Sequence, residues 1–448
     1  MNTHGYRFVG ATAVMIDSHT ELVGSGPNAS AELVVRDGIV QEHARGDEIE
    51  VDATGCVITA GLVNAHHHLL QSAFRTLPGT RSVPMHVWLP TMAAAYARVG
   101  VDAELADAAA SVAVAEGLLC GVTTVADHHL TWPADGDDAA LAGATAAAAR
   151  RLGGRLAFVR GSARDDPQRA AAGAEAVVAS LLGGSDAVAG VSADGMLQVA
   201  VGPAGVHSDS RETFELLSEV AARYGLRRRT QANEQVDVAI ALERYGRRPI
   251  DLLDEWGWLA SDVTLAHLCD VSPAEIARAA ARGVTATHAP GCDVPMGWGV
   301  APVAELADAG VVVGLGTSGG GSNDAGHLLA DARLAMQVSG LRGPALSARQ
   351  VLGMATEGSA RGLGRPELGH LRVGAAADLC VWDVSGVADA GVDDAIAGLL
   401  WAAPGRRPRD VFVAGRRVVE DGALVGADER AIAEDLRALL ASRRAATK

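Results

Sequence analysis

The stretch Ile58-Thr59-Ala60-Gly61-Leu62-Val63-Asn64-Ala65-His66-His67-His68 decides how this chain is read. A short apolar run passes through a glycine and ends in three consecutive imidazoles, the pattern of a buried strand that delivers polar side chains at its C-terminal end. His66 and His68 are two residues apart, so on a strand they share a face and can grip one ion.

Outward from that stretch, short β-branched runs alternate with Ala- and Leu-rich helical segments, the rhythm that yields a parallel sheet. Strands are expected at 62–66, 122–127, 155–160, 197–202, 226–231, 263–267, 284–288 and 311–317, the run at 226–231 being interrupted by three arginines. Helical spacing is expected over 104–119, 138–152, 211–224, 273–282 and 327–338. Eight such units in this length match a (β/α)8 TIM-like barrel, placed at residues 58–365.

The flanks have a different texture. Val34 to Val40, Ala377 to Trp382 and Val411 to Val418 are short strand-like runs, and neither end has enough strands to bury a face alone. They are expected to combine into one small β-sandwich of residues 1–57 and 366–448. Ile432, Leu436, Leu439 and Leu440 give the last segment an amphipathic helix, expected to pack on the domain or on a partner subunit.

The 448 residues carry a net charge of −16, which argues against nucleic acid and anionic membranes as partners and for a small molecule. The sequence shows no export signal and no apolar run approaching the ~20 residues needed to span a bilayer. Five scattered cysteines without a CxxC pair suit a reducing cytoplasm. Lysine occurs only as Lys448, so a carbamylated barrel lysine bridging two metals is excluded, leaving at most one metal on that plan.

Eight of the 14 histidines fall at expected C-terminal strand ends: His66, His67, His68, His128, His129, His207, His267 and His288. That face of a (β/α)8 barrel carries the active site.

With Met85-His86-Val87-Trp88-Leu89, Thr123-Thr124-Val125-Ala126-Asp127, Met296-Gly297-Trp298-Gly299, Ser322-Asn323-Asp324 and Gly374-Ala375-Ala376-Ala377-Asp378-Leu379 added to the opening stretch, the chain resembles the amidohydrolase superfamily. It is similar to the branch that holds triazine chlorohydrolases and 8-oxoguanine deaminase, and the resemblance covers nearly the whole length. The resemblance implies one zinc or iron ion held by an HxH pair, a strand-five histidine and usually a strand-eight aspartate. A glutamate three residues after the strand-five histidine shuttles protons. A strand-six histidine holds the water or the developing oxyanion.

Carried over, His66 and His68 match the pair, Glu234 the acid/base and His267 the strand-six histidine, itself a further candidate ligand. The strand-five histidine falls on Gln231 and the strand-eight aspartate on Ser318. A neutral amide oxygen is a poor zinc donor beside imidazole, and the carboxylate is gone too. Three states follow: a metal held more weakly through His66, His68, Gln231 and His267, a metal joined by another group such as His288, or a metal-free site.

Gln71, Arg75, Trp88, His128, His129, His288, Trp298 and Asn323 are candidate substrate contacts, offering amide, guanidinium and ring faces to a planar heterocycle. The Ser322-Asn323-Asp324 turn either lines the pocket or caps the following helix. The first expectation is hydrolysis of a C–N bond of a small nitrogen heterocycle, with loss of chloride second. A metal-independent lyase, isomerase or cyclase using Glu234 and His267 is the alternative, and a catalytically silent scaffold the third. Family members are commonly dimers or higher, so a homo-oligomer is expected.

Overall fold

The computed structural model describes residues 5–23, 31–132, 136–183 and 189–446; Lys448 lies outside them. Eight parallel strands form the central sheet: β1 Leu62–His67, β2 Val122–His129, β3 Arg155–Ser162, β4 Leu197–Pro203, β5 Arg227–Ala232, β6 Val263–His267, β7 Thr285–His288 and β8 Val312–Leu315. Each pairs with its neighbour in sequence order, and every connection is long enough to carry a helix or helices across the outside. This is the (β/α)8 barrel.

Strand β5 exists despite its arginines because each guanidinium finds its own environment. Arg228 points outward, with Nε and Nη2 on the Asp262 carboxylate at 2.7 and 2.8 Å and its guanidinium 5.1 Å from the Trp258 ring centroid. Arg229 points inward and is fully buried, donating to the Ala65 carbonyl at the end of β1 and, at 3.4 Å, to Thr287 Oγ1.

Strand β8 stops two residues short of the expected end because Gly316 to Ser318 leave the ladder to close the barrel. Ser318 N donates to the His66 carbonyl at 2.9 Å, and Asn64 Nδ2 donates to Thr317 Oγ1 at 2.8 Å. A Cβ on Gly316 would lie 2.7 Å from the His66 backbone, so only glycine permits this approach.

The helices follow their caps. Asp102 accepts from Leu105 N ahead of Ala103–Leu119, and a Ser272/Glu275 capping box opens Pro273–Arg282. Leu328–Ser339 is capped by His327, not by the Ser322-Asn323-Asp324 turn. An unexpected helix, Met85–Val99, follows β1 and carries Trp88.

Two further sheets lie at the chain ends. One joins Ile39–Gln41, Ala31–Arg36, Tyr6–Ala11 and Ile49–Asp52. The other interleaves both ends, with Cys56–Ala60 paired between Ala13–Met15 and Leu379–Asp383. Phe8, Val35, Ile58, Leu379, Val381 and Phe412 share one core between them, with the Phe8 and Phe412 rings edge to face at 5.1 Å. A buried bidentate pair, Arg155 to Asp378 at 2.7 and 2.9 Å, ties this layer to the start of β3.

The C-terminal helix Glu429–Ala446 lies against Met85–Val99 and Ala103–Leu119, with Leu436 buried beside Trp88 and Leu105. No helix among the described residues is long and apolar enough to cross a membrane.

Candidate active site

A cavity of about 310 Å³ opens at the C-terminal ends of the strands. The strand ends there bring together side chains that the sequence scatters over two hundred residues. The His66 ring stands 4.9 Å from His68 and 5.1 Å from His267, centroid to centroid. His68 Nδ1 donates to the His128 carbonyl at 2.6 Å, because a carbonyl can only accept, and this leaves Nε2 as a lone pair. Behind it His128 stacks on His68 at 5.9 Å and donates through Nε2 to the Gly202 carbonyl.

His66 is the informative member. Both its ring nitrogens are buried and neither has a hydrogen-bond partner. Burial first, then the neighbouring His68, His267 and His128 and the Arg229 charge, hold it well below the usual imidazole range, so it is neutral. Neutral, unpartnered imidazole is the form that binds a metal ion. The pair His66 and His68 therefore fits a metal ion, whereas the neighbouring donors Gln231 Oε1 and Ser318 Oγ bring no charge to it.

His267 ends β6 in a left-handed conformation, φ 78°, and Leu268 follows at 56°, a strained arrangement of the kind that functional sites hold. Its Nδ1 faces Asp293 Oδ1 at 2.6 Å and its Nε2 faces Gln231 Oε1 at 3.2 Å. Burial opposes protonation, but Asp293 together with Glu234 and Asp237 raises the imidazole above its ordinary range. Glu234 caps the start of Gln235–Tyr245 by position only, making no side-chain cap bond. It is 0% exposed, with neither carboxylate oxygen hydrogen-bonded and Oε1 3.6 Å from His267 Nε2. Burial pushes its carboxyl up, against the pull of His267 and His207.

The cavity wall includes His68, Gln71, Trp88, Gln231, Trp298 and Ser318, all expected from sequence. Gln71 Oε1 accepts from Gly321 N and Trp88 Nε1 donates to the Gly321 carbonyl, so the β8 loop fixes both.

Four of the expected substrate contacts do not line the cavity. Arg75 is turned onto Glu116, His129 donates to the Thr131 carbonyl between Trp132 and Phe158, and His288 faces Asp293 Oδ2 at 3.4 Å. Asn323 Nδ2 is used on the Thr317 carbonyl and Asp331. His128 also stands off the wall, supporting His68 from behind.

Other groups escaped the sequence reading. Asp237 holds His207 Nδ1 at 3.0 Å, and Cys292 and Asp293 stand on the short helix Pro290–Asp293 after β7. Asp237, Cys292 and Asp293 stand on helices after the strand ends, so the strand-end histidine signal did not extend to them.

Residues 57–418 match the amidohydrolase family. The chain belongs to that family. Among relatives of this amidohydrolase, an 8-oxoguanine deaminase of Pseudomonas aeruginosa is 34% identical over 442 residues, covering 94% of this chain and 95% of the relative. An isoxanthopterin deaminase from an unknown prokaryote is 32% identical, covering 88% and 87%. Atrazine chlorohydrolase from Arthrobacter aurescens TC1, solved with zinc, superposes with a TM-score of 0.89 at 33% identity, covering 97% of this chain and 100% of that one. The amidohydrolase is thus an enzyme of the hydrolase class acting on non-peptide C–N bonds.

Proposed function

We propose that this amidohydrolase removes an amino group hydrolytically from a planar nitrogen heterocycle. The observation that carries the reading is Glu234: a carboxyl held at 0% exposure without a hydrogen bond, 3.6 Å from a raised imidazole and beside two metal-competent histidines. Fold economy alone does not maintain such a group, but proton transfer requires it. The deaminase relatives and the zinc-bound structural neighbour support the same chemistry.

His66 and His68, with Gln231 Oε1 nearby, would hold the ion, zinc or iron. A bound metal lowers the pKa of its water toward ~7 and so supplies hydroxide at neutral pH. The protein's own residues do the rest. Glu234, whose carboxyl burial pushes up, would take a proton from the attacking water and deliver it to the departing nitrogen. His267, held by Asp293, points Nε2–H at developing negative charge. Trp88 and Trp298 offer ring faces to the flat substrate, and the neutral Ser318 hydroxyl replaces a carboxylate on the floor.

A second reading has an observation of its own. Gln231 and Ser318 contribute no charge to an ion at His66 and His68, which favours acid/base chemistry by Glu234 and His267 without metal. Metal analysis of the purified protein, together with His66→Ala and His68→Ala, separates the two. Hydrolysis through a metal predicts about one ion per chain and joint loss of ion and ammonia release in both variants. Full turnover in either variant would sink it.

The proposal is completed by a barrel spanning residues 58–365, a composite sheet domain from residues 1–57 and 366–448, a cytoplasmic setting and a homo-oligomer. Light scattering of the purified protein checks the last of these.

A further inference from the structure

The cavity has two unlike flanks. Met85, Trp88, Leu89, Met92 and Tyr96 line it from one face of the helix Met85–Val99, whereas Arg164, Asp165, His207 and Ser208 line it from the loops after β3 and β4. We propose that His207, held by Asp237, is a substrate contact that selects heterocycles carrying a ring carbonyl, with its Nε2 on the carbonyl oxygen. The inference names a substrate class within the deaminase reading and rests on that reading.

Anchoring is the first argument. Asp237 is fully buried and both its oxygens are engaged: Oδ1 accepts from His207 Nδ1 at 3.0 Å and Oδ2 from the Asn233 amide at 3.0 Å. Arg244 donates to the His207 carbonyl at 2.9 Å, so main chain and ring are both fixed. Asn233 holds a left-handed φ of 54° directly before Glu234. One carboxylate therefore positions the imidazole and pins the turn that delivers the acid/base.

Availability is the second. The neighbouring polar groups of the wall are already engaged: Ser208 Oγ donates to Asp209 at 2.5 Å and Asp165 accepts from Arg160 at 3.0 Å. The Trp88 and Trp132 indole N–H groups go to the Gly321 and Gly161 carbonyls at 3.1 and 2.8 Å. His207 Nδ1 is spent on Asp237, while Nε2 has no hydrogen-bond partner among the described residues, on a ring that lines the cavity.

The chemistry of the partner follows. Burial opposes a charge on this imidazole, but the bond to Asp237 and then the Glu234 and Asp209 charges raise it, so Nε2 also carries a hydrogen. A carbonyl oxygen can only accept, and a hydrogen bond from a charged donor is about twice as strong as a neutral one. A ring edge that offers C–H at this point leaves a buried donor unpaired, and sites built on such a bond reject the analogue that lacks it.

Equilibrium dialysis of the full-length Glu234→Gln variant, in which binding is separated from turnover, tests the contact. The probes are 8-oxoguanine and 2-aminopurine, the same ring and amino group without the oxygens. 8-Oxoguanine is expected to bind about 10–100-fold more tightly. Adding His207→Phe should erase that ratio by weakening 8-oxoguanine alone, and adding Asp237→Asn should shrink it with His207 in place, effects that a merely structural role would not confine to one ligand. A ratio near one with His207 intact, no binding of either purine, or a ratio that survives His207→Phe would overturn the proposal. Ammonia release by wild type reads the deaminase proposal separately: no release with a His207-dependent ratio removes the reaction and keeps the contact, whereas release with a ratio indifferent to His207 does the reverse.

Discussion

Replacing Glu234 by Gln isolates the proton carrier from the fold. The substitution preserves volume and breaks no hydrogen bond, because neither oxygen of this fully buried carboxyl has a partner. Stability should therefore hold to within about 1 kcal/mol. With an unfolding entropy of about 2.1 cal/mol/K per residue, that corresponds to roughly 1 °C in Tm for a chain this long.

Catalysis should behave in the opposite way. A positioned acid/base contributes about 10²–10⁴ in rate, or roughly 2.7–5.5 kcal/mol of barrier. Ammonia release from 8-oxoguanine and isoxanthopterin, metal content and a thermal melt would be followed on the same preparation. The pH profile adds a sign: burial raises Glu234, so the wild-type limb that needs its ionised form climbs as pH rises through that raised value, and the variant loses the limb. A rate loss below tenfold with metal and Tm intact would refute the assignment, and a drop of several degrees would show a structural role instead.

Other outcomes can be read directly. Burial lifts Asp209 to about 6 although Ser162 and Ser208 donate to it, so its ionised form penalises the fold above that pH. Its folded pKa exceeds the ordinary value, and stability is therefore fully present in acid and lost as pH rises from about 4 to 6. Asp209→Asn should match wild type in urea unfolding near pH 3.5 and exceed it by about 3 kcal/mol at pH 7; equal stability at both would contradict this. Asp378→Ala strands the buried Arg155 guanidinium and should cost about 3–5 kcal/mol in the same assay, with less than 1 kcal/mol showing the pair to be dispensable. Gly316→Ala forces a methyl against His66 and should reduce metal content and turnover together; an unaffected variant would show that the barrel seam yields freely.

Much of this architecture was legible because strand-end histidines mark the barrel mouth and apolar runs mark its walls. His66, His68, Glu234 and His267 were expected from spacing and resemblance, and the structure brings them together at the strand ends. What stayed hidden depends on contacts between distant segments. Arg75 reads as a free cation until Glu116, 41 residues away, is seen to take it. Asp293 has no local motif, and acquires meaning only when the chain brings it 2.6 Å from His267. Met85–Val99 lacked a capping side chain and contained Pro90, so local signals argued against the helix that packing against Leu105 and Leu436 stabilises.

The strand Cys56–Ala60, buried at every residue, pairs with Leu379–Asp383, so Ala60 meets a partner 319 residues downstream. At roughly 5–20 residues per second, a ribosome needs about 15–65 s to supply that partner after Ala60 is made. Throughout that interval an apolar edge with unpaired amides trails the growing barrel. The two termini thus act as a late clasp, closing the composite sheet only when the last part of the chain arrives.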